Sequence, residues 1–149
     1  METSNSETWS ETPLIAALVG LLAISTLGNG AWMVISPAGW YAAVPGVTHT
    51  GPFNPHFILD IGFIYLATGA MLAAALRWRR HAAPLVAGSA VWVALHAGLH
   101  VVEIGHGSAG HAAVEAAGVV APAFIHVSIA LRLLSTEKGQ SHAETVSPE

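Results

Sequence analysis

The sequence predicts an all-α fold, a bundle of four transmembrane helices with both termini on the cytoplasmic side. Three observations carry that reading. Of the 149 residues, 53% are hydrophobic and 9% charged, whereas an ordinary soluble domain is about 25% charged. Apolar runs of about 20 residues, enough to cross about 30 Å of hydrocarbon, can be cut from the chain four times. Every basic residue (Arg77, Arg79, Arg80, Arg132 and Lys138) falls at one end of the resulting bundle.

The first span is predicted at 13–35. Thr12 precedes it as an N-cap, and Pro13 takes the first helical position, where its missing N–H costs nothing. Ser36-Pro37 ends it, because the residue before proline avoids helical dihedrals. The second span, 55–76, opens with the same arrangement in Asn54-Pro55. The third is predicted at 82–104 and the fourth at 112–134. Pro122 lies inside the fourth, which predicts a kink and a freed carbonyl near Gly118. The membrane domain thus covers 12–135, between a disordered cytoplasmic start at 1–11 and a disordered cytoplasmic tail at 136–149, both polar and poor in large apolar residues. The start lacks the basic n-region of a signal peptide, so the first apolar run reads as a retained span.

The basic residues also set the orientation. Three arginines lie between spans two and three, and Arg132 and Lys138 lie at the end of span four. Positive-inside bias makes that side cytoplasmic and puts the 37–54 and 105–111 links, which hold no Lys or Arg, outside. The expected location is the cell inner membrane, as a multi-pass protein in contact with lipid. The chain has no cysteine, which excludes a disulfide scaffold, a thiolate metal site and a cysteine nucleophile. Five basic against nine acidic residues leave no footprint for nucleic acid.

Function is sought in the ionisable groups inside the spans, since each needs a partner there. At 1.5 Å of rise per residue, Asp60 comes out roughly 6–8 Å below the outer surface, His100 at about 6 Å, Glu115 at about 5 Å and His96 at about 12 Å. His56, Glu103 and His106 fall at the mouth. His56 and Asp60 stand i and i+4 on one face of span two. His96, His100, Glu103 and His106 follow 4-3-3 steps, which also keep one face, and Ser89 and Trp92 extend that stripe inward. Lipid offers these groups no partner, so the faces are predicted to point into the bundle. His-x-x-x-His lets two imidazoles reach one metal ion. Three carboxylates without a Lys or Arg nearby must take up protons, pair with protonated histidine or attract a cation.

The expected site is therefore metal-binding, built from His56, Asp60, His96, His100 and Glu103 with His106 and Glu115 as accessory groups. A transition metal such as Zn, Cu or Fe suits imidazole beside carboxylate. Metal handling or membrane redox chemistry follows as the function, with no reaction assigned. Haem and quinone stand behind the metal. For haem, His96 and His126 differ by about 9 Å in depth. The alternative is a non-catalytic subunit or adaptor, part of a larger membrane complex or a homo-oligomer, whose His/Asp/Glu groups clamp the helices. Gly28, Gly30, Gly62 and Gly69 permit the close helix contact such a role uses. Trp40, Tyr41 and Phe53 in the outer link read either as interfacial anchors or as part of a cap folded over the polar pocket.

The string GPFNPHFILDIGFIYL, followed by a span with paired histidines, resembles a family of small uncharacterised bacterial four-helix membrane proteins. In size and layout the chain also resembles DoxX-like proteins, some of which serve as quinone-linked oxidoreductase subunits. The resemblance implies a bacterial inner membrane and transfers no catalytic residue.

Overall fold

Proline chemistry sets several of the helix ends. The computed structural model describes residues 13–104 and 109–146; the side chains of Glu103 and of 139–146, the expected disordered start at 1–11 and the end of the tail at 147–149 lie outside that description. Helix α1 is Pro13–Ile35, and Pro37 opens a short helix α2, Pro37–Ala43. A 3-10 turn at Val47–His49 follows. Helix α3, Pro55–Arg77, begins where the Asn54 side chain accepts from the Phe57 N–H at 3.2 Å, ahead of a proline in the first turn. A 3-10 turn at Arg79–His81 leads into α4, Ala82–Ile104. Helix α5, Ala109–Glu115, passes through a π-helical turn at Ala116–Val120 into α6, Ala121–Val146. No strand occurs among the described residues.

The disturbance expected at Pro122 takes the form of that π turn. Proline cannot donate to the carbonyl four residues back, and the Ala121 N–H bonds instead to the Ala116 carbonyl, five residues back. Helix α6 continues to Val146, through polar residues for which composition predicts disorder. An established helix extends cheaply, one bond per residue fixed.

Four stretches are long and apolar enough to cross a membrane: Pro13–Ile35, Pro55–Arg77, Arg79–Val102 and Ala109–Lys138. Only 22–28% of each is buried within the bundle. What faces outward is large and apolar, including Leu21, Ile24, Phe63, Leu95, Phe124 and Leu131. In water such a surface would aggregate; against acyl chains it is at rest. This is a multi-pass membrane protein.

The interior divides into two halves. Toward the basic end, Val19 and Ala23 of α1, Leu72 and Ala75 of α3, Val86 and Ala90 of α4, and Ile129 and Leu133 of α6 form one closely packed apolar cluster. Helix α1 packs along α3, α4 along α6, and α3 against α4, while α1 and α6 barely meet. The α1–α3 crossing depends on glycine. A Cβ at Gly30 would stand 2.8 Å from the Gly62 carbonyl oxygen, and one at Gly69 would stand 2.6 Å from Leu27 Cγ. Gly28 has no such neighbour within 4 Å, so of the four glycines singled out it alone takes no part.

Candidate functional site

Toward the other end the helices separate around a cavity of about 1210 Å³. Tyr65 of α3 and Trp92, His96 and His100 of α4 form one wall. Glu115 of α5 and His126 of α6 contribute further lining, and Thr26 and Asn29 of α1 face them. Trp40, Tyr41 and Phe53 of the 36–54 segment also line it, so this segment forms a cap. The Trp40 Nε1–H donates to Asn29 Oδ1 at 2.9 Å, and the Tyr41 hydroxyl donates to the Gly51 carbonyl at 2.6 Å. Gly46, at φ +89°, lets the cap turn against α5, where a Cβ would stand 2.8 Å from His111 Cε1.

The polar groups in the cavity wall form a chain. Trp92 stacks on His96 with ring centroids 4.9 Å apart, and Tyr65 meets Trp92 edge-on at 4.8 Å. The Tyr65 hydroxyl is 3.3 Å from His96 Nε2. His96 and His100 stand one turn apart on α4, and their ring centroids are 4.6 Å apart. His100 Nδ1 meets Glu115 Oε2. His111 Nε2 lies 3.9 Å from Glu115 Oε1. Glu115 is buried, and through it α4 and α5 are tied together.

Of the residues expected at a shared site, His96, His100 and Glu115 come together. His56 and Asp60 do not join them. They pair with each other at 3.3 Å, but their side chains are 85% and 58% exposed and neither lines the cavity. The reason lies in helical geometry. Gly62 must face α1, and Asp60 lies two residues away, about 200° round the helix. Close glycine packing fixes the rotation of α3, and the carboxylate is left at the outer turn beside its own histidine. The Glu103 side chain and all of His106 lie outside the described residues. Among the described residues no three His, Asp or Glu side chains are grouped so as to hold a metal ion. The side chains that meet Asp60 and Glu115 are histidines: His56 for the first, His100 and His111 for the second.

Two participants escape the sequence reading. His111 was available as an i, i+4 partner of Glu115, but a fourth span begun at 112 leaves it in the link; the helix starts at Ala109. Tyr65 gives a weaker signal. It lies about 60° round α3 from Gly62, on the flank of the buried stripe, and only the glycine pattern reveals that.

No family model, characterised protein or solved structure matches this chain. Fold and site together define a class all the same: a four-span membrane protein with a capped, aromatic-lined cavity at the end opposite its basic residues.

Proposed function

We propose that this protein binds a lipid-soluble ring compound of the quinone class in the capped cavity. The observation that supports this reading is the lining itself. Binding pockets for small molecules are mostly apolar and aromatic with a few polar groups that fix orientation. Trp92, Tyr65 and Trp40 supply flat apolar surface, and Tyr65, His96 and His126 supply hydrogen-bonding edges within it. A planar ring with polar edges matches both. Among such rings, quinones are proposed on the sequence resemblance in size and layout to DoxX-like proteins alone. A metal, the first expectation from the residue pattern, would be held by His56, Asp60, His96, His100 and Glu103, but His56 and Asp60 stand apart from His96 and His100, and among the described residues no three such side chains are grouped to hold one.

Tryptophan fluorescence tests the reading. Titrating the protein in lipid nanodiscs with 1,4-naphthoquinone is expected to give saturable quenching. Gly118 lines the cavity, and a Cβ there meets no other atom within 4 Å, so Gly118→Phe should fill space and weaken binding about tenfold. Quenching that rises linearly with probe and is the same in Gly118→Phe would defeat the proposal.

We further place the cavity on the outer face of a bacterial inner membrane, with both termini cytoplasmic. The support is the positive-inside bias of five basic residues at the opposite end. Reporter fusions in the 105–111 link and at the C-terminus should show opposite compartments, the link outside. A periplasmic C-terminus overturns the assignment.

A further inference from the structure

The bundle is least closed where α1 faces α6. Helix α1 packs along α3 and helix α6 along α4, and α1 and α6 barely meet. The apolar cluster that closes the basic end reaches Ala23 on α1 and Ile129 on α6 with its buried residues. Toward the cavity end from there, lining comes from both banks of the seam: Ser25 and Thr26 on α1, Gly118 in the π turn and Ala123 on α6. Ser25 and Gly118 line the cavity and are themselves exposed.

Depth decides what such an opening meets. From Ser25 to Ile35 at the cavity end of α1, and from Ala109 to Gly118, the rise is about 15 Å in each case. The two rim residues thus lie level with each other, near the middle of a hydrocarbon core about 30 Å thick. An opening there faces acyl chains and not water. The wall suits them, because the Ser25 and Thr26 hydroxyls both donate to the Leu22 carbonyl, at 3.1 and 2.5 Å, and leave no hydrogen unpaired. Size points the same way. Pockets for drug-sized ligands run to roughly 300–1,000 Å³; this cavity is about 1210 Å³, more than a two-ring compound fills.

We infer that the ligand of this cavity carries a long hydrocarbon tail, which passes out through the α1–α6 seam into the bilayer while the ring stays inside. The inference rests on the cavity being a ring-binding site and adds the class of ring compound, a membrane-resident lipid in place of a water-borne molecule. Ser25 and Gly118 form the rim of the passage. A tail lying in the seam exchanges lipid for helix surface of the same polarity, so it gains no hydrophobic drive. What the seam controls is whether a tail is admitted.

Tryptophan quenching in nanodiscs by 2-methyl-1,4-naphthoquinone and by its 3-phytyl derivative tests this, with probe counted per lipid and empty nanodiscs as blank. The two probes share a ring and differ by the tail. Wild-type protein is expected to bind both saturably and within about twofold of each other. Ser25→Phe narrows the seam from its rim, and should weaken the tailed probe about tenfold relative to the tail-free one. A second measurement needs no variant: a tailed probe with a diazirine on the tail beside the ring, photolysed on wild-type protein, should label residues 22–29 and 118–126. Saturable binding of the tail-free probe alone overturns the inference and leaves the ring-binding cavity standing. Saturable binding of neither overturns both. An unchanged ratio in a folded Ser25→Phe, or label confined to residues 40–53, overturns the seam as the path of the tail.

Discussion

Gly30→Leu is expected to lower the stability of the bundle by about 3 kcal/mol or more, the upper end for overpacking. The cause is what the new side chain meets. At Gly30 a Cβ would lie 2.8 Å from the Gly62 carbonyl oxygen and 2.9 Å from the Leu66 nitrogen, and neither backbone atom can swing aside as a flexible side chain does. The two helices must move apart along their whole crossing. In a membrane that contact is held by close van der Waals packing, since lipid tails are as apolar as the helices and give no hydrophobic drive. Gly28→Leu, two residues earlier with nothing within 4 Å, should melt within about 0.5 kcal/mol of wild type, as a substitution away from any packing feature does. Thermal unfolding of both variants in detergent makes the comparison. If Gly30→Leu melts like wild type, the α1–α3 crossing is not the one described.

The same crossing explains what was legible in the sequence. The all-α class was, because runs of apolar residues long enough to span a bilayer permit little else. The helix starts at Pro55 and the break at Ser36-Pro37 were, because proline restricts its own and the preceding dihedrals. Helix rotation was not. Two rules compete on α3: ionisable groups should turn inward, and glycines should turn toward a neighbouring helix. Asp60 and Gly62 lie on opposite faces and cannot satisfy both. Glycine prevails because a backbone contact at Gly30 has no alternative, whereas Asp60 near the helix start finds His56 within its own turn. On α4 the rules agree, and His96 and His100 stand in the wall where the spacing puts them. The cap was legible only as one of two readings. Trp40 and Tyr41 suit an interface by composition, and the Trp40–Asn29 bond that draws them over the cavity joins residues eleven apart, beyond any local pattern.

Glu115→Ala is the substitution with the largest expected effect at the site. The carboxylate is buried and meets His100 through Oε2 and His111 through Oε1. Removing it leaves His100 Nδ1 without a partner among the described residues, in a place shielded from water. A buried polar group so orphaned costs about 1–3 kcal/mol, and the separation of α4 from α5 adds to it. Glu115→Gln keeps the shape and one acceptor oxygen, so it should lose about half as much. An alanine variant as stable as wild type would show that the carboxylate holds nothing. The double variant His100→Leu with Glu115→Leu then decides what the pair is for. Replacing both members of a buried polar pair by apolar residues of similar volume is often neutral or stabilising, so the double variant should melt near wild type while each single leucine variant melts well below it. If the pair only clamps helices, the repaired double variant should behave as wild type in every assay. If the pair belongs to a ring-binding cavity, the repaired bundle should bind 1,4-naphthoquinone several-fold more weakly despite its recovered stability. Restored stability with lost binding supports the cavity; restored stability with unchanged binding leaves the clamp as the whole role of His100 and Glu115.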